Sequence, residues 1–556
     1  MNKSNKIIVS LFALAVFSAS CKKQLDVKNP NEPNPETIKT EFGIVAYGKG
    51  GVYTNGFKSL KYGDGVVGEG FFSFVYGFHE LMGDVVGIEA ANVYANQVAA
   101  PDKVTLDNAA VITNPGTPNR SATVLRAVNL NASAGANPLY YEWAYMYGMN
   151  NACNTILENV DAVAYTGDAA TKKNTLKAWA YWWKGYAYAR IGSMYYAGVI
   201  TNTSLLSNPT PNSNYVTKDA IIAESNANFD KAIAILNAQA NNADYQSVLG
   251  DLIPDFNQVG KGGILTPAMW VRNCNTMKAR NILVNKTTTA MTASDWTAIL
   301  TLTNAGIQSS DFVFTARSNA NSDLMTSGAG TVAAKVTSAS PGANTYKVSE
   351  RIVQDFPVGD KRKTNNFIQG TTWIGNTDRG NIFNTRFALK DGGAGQAGVI
   401  VYSNKVDGGS EYYIAGTWEE NQLMKAEATM YAASFTPASI LTGMALIDAV
   451  RVAQGAGLAP AVAATAVAAK EELRKERRVG LLFHGLSFYD ARRWKVIDPI
   501  ASGGGRFGAV VLSAAGVVST NATIEYNFLD YWDVPDNELA YNPPAAGSAP
   551  VVNPRQ

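Results

Sequence analysis

The sequence has few of the residues that build metal centres and disulfide frameworks. Its 556 residues include three cysteines and only two histidines, His79 and His484. A structural zinc site needs about four clustered cysteine or histidine ligands, and no such cluster occurs, so we expect neither a metal nor another cofactor. Cys153 and Cys274 lie within helical patterns and have no spacing that indicates a disulfide. Free thiols are the favoured interpretation, with a disulfide in an oxidising compartment as the alternative.

Charge is scarce and nearly balanced, which excludes two classes of protein. Charged residues make up 17% of the chain and hydrophobic residues 46%, a composition that excludes wholesale disorder. There are 47 basic and 45 acidic residues, and loss of Lys3 and Lys6 with an N-terminal leader would leave 45 of each. A nucleic-acid-binding protein needs an excess of positive charge to face phosphate, so we expect no nucleic acid partner.

An apolar run near the N-terminus has the form of a signal peptide. It extends from Ile7 to Phe17, follows two lysines, and is too short to span a bilayer as a helix. Three small residues then lead into Cys21, in the arrangement at which bacterial lipoproteins are cleaved and acylated. We therefore predict a lipoprotein signal peptide at 1–20 and lipidation of Cys21. Plain secretion is the alternative.

The residues after Cys21 favour an anchor in the outer membrane. Acyl chains add roughly 0.8 kcal/mol of membrane affinity per buried methylene, so a multiply acylated terminus is held firmly. The next residue is Lys22 rather than the aspartate that typically retains lipoproteins in the inner membrane. Residues 21–40 contain a Pro/Asn-rich stretch at 26–37 and are predicted to be a lipidated tether.

Apolar side chains recur with a period near 3.6 over much of the chain, which predicts amphipathic helices. The predicted helical windows are 146–160, 176–187, 222–236, 268–284, 294–308, 417–433, 440–454 and 465–483. Each window has one apolar stripe and must pack on a neighbour. The pattern therefore predicts a mainly α fold, an α–α superhelical scaffold of tetratricopeptide-like units. By phase Trp183 belongs to the core, whereas Trp182 points elsewhere and is a candidate for an interface.

Long Gly-, Asn- and Thr-rich stretches separate the helical windows. They cover 43–140, 238–265, 309–415 and 500–556. These stretches carry more aromatic residues than linkers do, so we predict ordered surface loops that form a ligand-binding face. The predicted domain, 41–556, has its helical scaffold at about 140–310 and 415–495 and its loop-rich part at 41–140, 310–415 and 495–556.

Five segments in order resemble one protein family. Residues 471–495 read EELRKERRVGLLFHGLSFYDARRWK, which resembles the signature of the SusD/RagB family of outer-membrane nutrient-binding lipoproteins. The matching elements are Glu476-Arg477-Arg478, Phe483, Gly485 and Tyr489-Asp490-Ala491-Arg492-Arg493-Trp494. The other four are the lipobox with Leu25-Asp26, WEENQLMKAEATMYAA at 418–433, ALIDAVRVAQGAGL at 445–458 and WDVPDNELAYNP at 532–543.

Three positions depart from the family pattern. Gly480 and His484 stand where two glutamates are expected, and Ser487 stands where an arginine is expected. Loss of two acids and one base together predicts that an ion-pair network has been remodelled here.

The resemblance implies a fold and a function. The fold is a tetratricopeptide-like helical scaffold with a loop-rich ligand-binding part, as the periodicity predicts. The implied function is capture of a glycan at the cell surface, without catalysis, and its delivery to a SusC-like TonB-dependent transporter in the outer membrane. The alternatives are capture of peptides or another nutrient by the same architecture, or a lipid-anchored helical-repeat scaffold that binds only proteins.

The family-like motifs are expected to be structural. We predict that Asp490, Arg493 and Trp494 hold the C-terminal helix on the scaffold. Glu427 lies on an apolar stripe, and a buried carboxylate must be paired or protonated, so Arg451 and Arg477 are its predicted partners. A catalytic role for Glu427 is the alternative.

Two aromatic segments are the candidate ligand sites, because glycan recognition needs aromatic faces beside planar polar groups. The first, at 68–87, combines the rings of Phe71, Phe72, Tyr76, Phe78 and His79 with the carboxylates of Glu80 and Asp84. Its alternative is a buried N-terminal helix in which Asp84 caps or bridges.

The second candidate lies in the loop 346–402, where Trp373 is followed by Asn376 and Arg379. An exposed tryptophan in a polar, Gly-rich loop offers a stacking surface, and simple packing of Trp373 is the alternative.

No catalytic constellation stands out. A glycosidase needs two carboxylates about 5–10 Å apart in a cleft, whereas Glu419-Glu420 and Glu471-Glu472 are neighbours on helices and face different directions. The literal G-x-G-x-x-G at 63–68 does not follow an apolar strand, so we interpret it as a turn-rich loop rather than a dinucleotide site. We therefore expect a binding protein and not an enzyme.

Overall fold

The computed structural model of the chain describes residues 37–54, 76–88, 98, 101–114, 125–132, 138–317, 346–374, 385–390, 411–513 and 515–555. Most of the ordered structure is helical. The α-helices are α1 (Glu41–Tyr47), α2 (Tyr76–Met82), α3 (Leu125–Val128), α4 (Pro138–Asn159), α5 (Ala169–Met194), α6 (Lys218–Asn237), α7 (Ala243–Leu252), α8 (Pro267–Val284), α9 (Ala293–Asn304), α10 (Glu350–Asp355), α11 (Lys361–Asn366), α12 (Trp418–Ala432), α13 (Pro437–Ala453), α14 (Ala466–Gly480), α15 (Ser487–Arg493) and α16 (Asp536–Leu539). The predicted fold class is confirmed.

The helical windows predicted from periodicity each contain a helix, with differences at the ends. The window 294–308 ends as a helix at Asn304, and the window 465–483 ends at Gly480. Helix α7 lies inside 238–265, which was expected to be a loop. Its ten residues bury only Tyr245, Val248, Leu249 and Leu252, and this short stripe lies between Asn-rich flanks.

Threonine side chains set where most of the long helices begin. A threonine at the N-cap accepts a hydrogen bond from a backbone N–H of the first turn, a group that has no partner inside the helix. The capping threonines are Thr217 for α6, Thr266 for α8, Thr292 for α9, Thr417 for α12, Thr436 for α13 and Thr465 for α14. In α8 and α13 a proline follows the cap, where its missing N–H leaves no bond unmade.

The long helices pack against one another in chain order. Helix α4 packs on α5, α5 on α6, α6 on α8, and α8 on α9. The series continues across the loop-rich region, because α9 packs on α12, α12 on α13, and α13 on α14. Each helix thus covers the apolar stripe of the one before it, which is the arrangement expected of helical repeats.

Helix α5 is the centre of this scaffold, and every residue from Trp182 to Met194 is buried. The Trp182 ring lies against Trp183, Phe229 and Phe314, with ring centroids 4.6, 6.1 and 4.4 Å away. The interface role predicted for Trp182 is therefore wrong, because α5 is enclosed on all sides. Gly185 allows this packing, since a Cβ there would approach the Phe229 ring to 2.7 Å.

Short antiparallel strands join the loop-rich segments. The strands are β1 (Val86–Ile88), β2 (Lys103–Thr105), β3 (Val111–Thr113), β4 (Ala197–Val199), β5 (Tyr215–Thr217), β6 (Thr315–Arg317), β7 (Tyr346–Val348), β8 (Phe367–Ile374), β9 (Thr385–Leu389), β10 (Glu411–Tyr413), β11 (Arg506–Leu512) and β12 (Val518–Glu525). A four-stranded sheet has the order β11-β12-β2-β3, and the pairs β1-β7, β6-β10, β4-β5 and β8-β9 stand alone. Two of these pairings, β1 with β7 and β2 with β12, connect residues more than 200 positions apart.

Both cysteines of the described chain are free and fully buried, as favoured from the sequence. Burial raises the pKa of the Cys153 thiol to about 12, and it raises that of Cys274 as well. In the described ranges no helix combines the length and the apolar character that a membrane crossing requires.

Truncation of Trp182 tests its place in the core. We expect Trp182→Ala to lower the free energy of unfolding by about 3–5 kcal/mol, because it removes a fully enclosed ring and leaves a cavity. Val452→Ala, at a side chain that is 78% exposed, is the control and should change stability by less than about 0.5 kcal/mol. Denaturant unfolding of the three proteins measures the difference, and a mild effect of Trp182→Ala would contradict the enclosed position.

Candidate functional site

The family-like motif after α14 is a buried ion-pair clamp. Asp490 accepts a hydrogen bond from Arg477 Nε at 2.8 Å and from Arg493 Nε at 2.7 Å. The two Nη groups of Arg493 bind both oxygens of Glu427 at 2.6 and 2.8 Å. Each of the four side chains in this cluster is at most 3% exposed. The clamp therefore fastens α15 to both α14 and α12 and faces no solvent.

The partner of Glu427 differs from the prediction. Arg451 and Arg477 were expected to pair with it, and the structure gives that role to Arg493. Arg451 instead donates to Glu476 and Glu472, each at 2.8 Å, and so joins α13 to α14. The correction follows from geometry, because the Arg493 side chain on α15 reaches Glu427 on α12, whereas Arg451 faces α14.

Trp494 and Arg492 complete the attachment of α15. The guanidinium of Arg493 lies over the Trp494 ring, 4.4 Å from its centroid. Arg492 donates to the carbonyls of Ser193 at 2.6 Å and Val284 at 2.8 Å, which are the C-terminal ends of α5 and α8. A cation near the last carbonyls of a helix is stabilising, so these contacts support the structural role predicted for the motif.

Of the three departures from the family pattern, Ser487 contacts a buried acid, Glu80. Its Oε1 accepts the backbone N–H of Gly485 at 2.6 Å, and its Oε2 lies 2.8 Å from Ser487 Oγ. His484 is buried beside Tyr413, and burial lowers its pKa to about 3. At the remaining position the Gly480 carbonyl accepts a hydrogen bond from the Gln454 amide at 2.9 Å. These three positions make neutral contacts in this chain, and the remodelling of an ion-pair network stays a prediction.

Glu80 has the surroundings of a protonated carboxyl group. Ser487 has one hydroxyl hydrogen, and its Oγ is also 3.0 Å from the carbonyl of His79, which can only accept. If Ser487 donates to that carbonyl, Glu80 must carry the proton of the second bond. Burial raises the pKa of Glu80 to about 7, and hydrogen bonds from Ser487 and Gly485 oppose the rise. The nearest guanidinium, Arg478, is bound elsewhere.

The first candidate ligand segment is only partly described. Phe72 lies outside the described residues, and so do the side chains of Tyr76 and Phe78, whose backbone forms the start of α2. His79 is buried between Glu142 and Arg190, each 3.0 Å from its Nε2, and burial lowers its pKa to about 4. The polar end of this helix therefore faces the protein interior.

Asp84 bridges rather than faces solvent. It is 2% exposed and accepts hydrogen bonds from Arg351 at 2.8 and 2.9 Å and from Ser349 Oγ at 2.9 Å. The Tyr526 hydroxyl adds a bond of 2.5 Å. Burial opposes the charge, and Arg351 nevertheless holds the pKa of Asp84 well below its usual range. This arrangement matches the alternative given for Asp84, a bridging role, and leaves its carboxylate no access to a ligand.

The second candidate ligand segment stays a prediction. Trp373 belongs to β8, and its side chain lies outside the described part of the chain. Asn376 and Arg379 also lie outside it, between the paired residues Ile374 and Thr385.

The three predicted loop-rich segments meet at one cluster of charges, which we name the loop junction. Its members are Asp84 from 41–140, Arg351 and Asp355 from 310–415, Arg506 and Tyr526 from 495–556, and Arg474 and Arg478 from α14. Sequence reasoning found only Asp84 among them. Isolated arginines in separate segments form no pattern, and only the pairing of β1 with β7 and the packing of α10 on β11 bring them together.

The described residues hold no group of three or more histidine, cysteine, aspartate or glutamate side chains that could bind a metal ion. Their buried carboxylates mostly face guanidinium groups. The site therefore offers ion pairing and hydrogen bonding, and its architecture is that of a helical scaffold carrying a loop-rich face.

Comparison with known proteins identifies this architecture as the SusD fold. No family model and no curated protein matches the chain. Among solved structures, a SusD superfamily protein from Bacteroides fragilis aligns with a TM-score of 0.54 at 14% identity and covers 92% of this chain and 100% of its own. Two SusD homologs from Bacteroides thetaiotaomicron align with TM-scores of 0.53 and 0.52 at 12% and 14% identity, covering 85% and 82% of this chain and 89% of each of theirs. The fold implied by the motifs is thus confirmed.

Breaking the clamp tests its structural role. We expect Arg493→Gln to lower the free energy of unfolding by about 3–5 kcal/mol, because Glu427 would remain buried without its guanidinium and Asp490 would keep only Arg477. Lys177→Gln is the matched control, since Lys177 pairs with Asp161, whose side chain is 61% exposed, and should cost less than about 1 kcal/mol. Equal effects in denaturant unfolding would contradict the clamp.

The raised pKa of Glu80 predicts a pH-dependent stability difference. Its stabilising contribution is complete below its ordinary pKa of 4.5 and is lost as the pH rises through about 7. The neutral histidines have the opposite trend, so the measurement is the difference between wild type and Glu80→Gln, which mimics the protonated acid. We expect the variant to gain about 3 kcal/mol relative to wild type between pH 5 and pH 8. A difference that does not change with pH would show that Glu80 is ionised throughout.

Proposed function

We propose that the protein is a lipid-anchored, cell-surface protein that binds a glycan and does not cleave it. The observation that carries the proposal is that sequence and fold agree. Five motifs resemble the SusD/RagB family in order, and the chain has the SusD fold over more than 80% of its length. The clamp residues of the strongest motif are buried, so the motif reports the architecture and leaves the ligand to the loop-rich face.

The absence of catalysis is supported by how the described acids are used. Glu427, Glu476, Asp490 and Asp84 are each bound to at least one guanidinium. Such pairing occupies their carboxylate oxygens inside the protein, so these side chains are not open to a substrate as a general acid must be. Glu80 has the raised pKa that a general acid needs, but it is enclosed by the turn at 481–487, where no substrate reaches it.

Anchoring and delivery follow the sequence. We place the lipid on Cys21, with 21–40 as the tether, so that the protein sits on the outer membrane and faces the exterior. A SusC-like TonB-dependent transporter is the proposed partner that accepts the captured glycan. The described chain starts at Thr37, near the end of this tether.

Phe72, Tyr76, Phe78, Trp373, Asn376 and Arg379 are the proposed ligand contacts. The flat faces of the aromatic rings suit the apolar side of a pyranose, and the amide and guanidinium suit its hydroxyl groups. They lie in two of the three segments that meet at the loop junction.

Calorimetric titration of the full chain in detergent against a panel of polysaccharides and peptide mixtures tests the function. We expect saturable binding of a polysaccharide, and we expect Trp373→Ala to lose about 1 kcal/mol, roughly fivefold in Kd. Phe42→Ala, at an exposed ring on α1 outside the proposed contacts, should bind as wild type does.

Other outcomes have definite meanings. Binding of peptides alone would replace glycan capture with peptide capture. Shortening of the polysaccharide during incubation with the pure protein would contradict binding without catalysis. Association with the transporter but with no small ligand would favour a scaffold that binds only proteins.

A further inference from the structure

The loop junction contains more positive than negative charge. Four guanidiniums meet there, those of Arg351, Arg474, Arg478 and Arg506. The buried carboxylates at the junction are Asp84 and Asp355, at 2% and 4% exposure. A third acid, Glu471, binds Arg474 from the rim, where its side chain is 45% exposed. Even with Glu471 counted, four guanidiniums share three carboxylates, which leaves an excess of one positive charge.

Three of the four arginines donate hydrogen bonds to carboxylates or backbone carbonyls. Arg351 binds both oxygens of Asp84. Arg478 binds Asp355 at 2.6 Å and the carbonyls of Gly83 and Asp84 at 2.7 and 2.9 Å. Arg474 is shared between Asp355 and the rim acid. Arg506 is therefore the guanidinium of this cluster that has no hydrogen bond to a carboxylate.

Only one edge of the Arg506 guanidinium makes a hydrogen bond to the described residues. Its Nε donates to the Tyr526 hydroxyl at 3.2 Å, and its nearest carboxylate oxygen, on Asp84, is 3.8 Å from Nε, too far for a hydrogen bond. Within the described residues neither Nη group has a partner, and the side chain keeps 12% exposure. Both Nη atoms reach solvent, since neither belongs to the buried polar atoms that lack a hydrogen bond.

The surrounding backbone keeps this guanidinium in place. Gln354 on α10 donates to the carbonyl of Gly508 at 2.5 Å and accepts the N–H of Val510 at 2.9 Å. These two bonds fix β11 immediately beyond Arg506. Arg506 is therefore positioned before any ligand arrives, which reduces the entropy lost on binding.

The excess charge acts on its neighbours. Burial and the nearby Arg506 lower the pKa of the Arg478 guanidinium, although Asp355 opposes the change. An added anion in contact with Arg506 would relieve this repulsion. Two parallel N–H groups at the edge of a guanidinium fit the two oxygens of a carboxylate or sulfate.

We propose that the free edge of Arg506 binds an anionic group of the ligand, a carboxylate or a sulfate ester, so that the captured glycan is an acidic polysaccharide. This inference rests on the proposed function for the nature of the ligand and on the loop junction for the anion site. Arg506 is a specificity-determining contact, and the aromatic segments supply the remaining affinity.

Inorganic sulfate tests the anion site without any glycan. Sulfate is titrated against chloride at constant ionic strength, and the concentration that gives half of the maximal rise in melting temperature is measured. We expect this concentration to rise about tenfold in Arg506→Gln, because a charge-assisted bidentate contact is lost. Arg506→Lys keeps the positive charge but cannot make the bidentate contact. Its half-maximal sulfate concentration should therefore lie between those of wild type and Arg506→Gln.

Lys475→Gln is the control, because it removes a positive charge from the same helix as Arg474 and Arg478 at a side chain that is 35% exposed. Its response to sulfate should equal that of wild type. An unchanged half-maximal concentration in Arg506→Gln, or an equal shift in Lys475→Gln, would overturn the anion site.

Polygalacturonate and its methyl ester test the ligand class, because they differ in charge and share a backbone. We expect the acid form to bind about tenfold more tightly, and we expect Arg506→Gln to abolish that preference. Equal binding of the two forms by wild type overturns the acidic-glycan inference while glycan capture stands. A sulfate effect that depends on Arg506, with no polysaccharide bound, supports the anion site and contradicts the proposed function.

Discussion

Three consecutive charged side chains on one helix hold the two parts of the molecule together. Neighbouring residues on an α-helix project about 100° apart, so Glu476, Arg477 and Arg478 point in three directions. Glu476 binds Arg362 and Arg451, Arg477 binds Asp490, and Arg478 binds Asp355. Helix α14 must therefore be enclosed on three sides. The contacts with Arg451 and Asp490 complete the helical scaffold, and those with Arg362 and Asp355 join that scaffold to the segment 310–415 of the loop-rich part.

This use of charge has a cost and a gain. Taking a carboxylate and a guanidinium out of water opposes folding, and the pair recovers the loss only with good geometry and further hydrogen bonds. The clamp largely meets that condition, since both oxygens of Glu427 bind the Nη groups of Arg493 and each oxygen of Asp490 accepts an Nε–H, although Nη1 of Arg477 is buried without a hydrogen bond. Directional bonds of this kind define how α15 lies on its neighbours more narrowly than apolar packing would. The loop junction meets the condition incompletely, because Arg506 retains an unbound edge.

The scaffold was predictable from the sequence because its signal is local. A stripe of apolar side chains every 3.6 residues predicts a helix without knowledge of its partner. The stripe does not show how many neighbouring elements pack against a helix. Trp182 lies outside the predicted apolar stripe of α5, yet it is buried because this part of α5 has neighbours on every side. Short elements were missed for a related reason, since strands of three residues such as β1 and β7 show no alternation to read.

The charged network was predictable in kind but not in partner. A buried Glu427 requires a cation, and nearby arginines were correctly the class to search, yet only the return of α15 over α12 selects Arg493. At the loop junction the sequence did not indicate even which type of residue would form the pairs. Arg351 and Arg506 are 155 positions apart and lie in segments without periodicity, so nothing in the sequence connects them. Their encounter is a product of strand pairing and helix packing in three dimensions.

The two buried thiols have a consequence for how the chain matures. Cys153 and Cys274 have no exposed surface in the folded protein, and burial keeps them protonated. The thiolate is the form that reacts with oxidants and with other thiols. In the folded protein these two thiols are thus shielded from the redox poise of the surroundings. Before the neighbouring helices pack on α4 and α8, the two sulfurs are open to oxidation, so rapid folding is itself their protection.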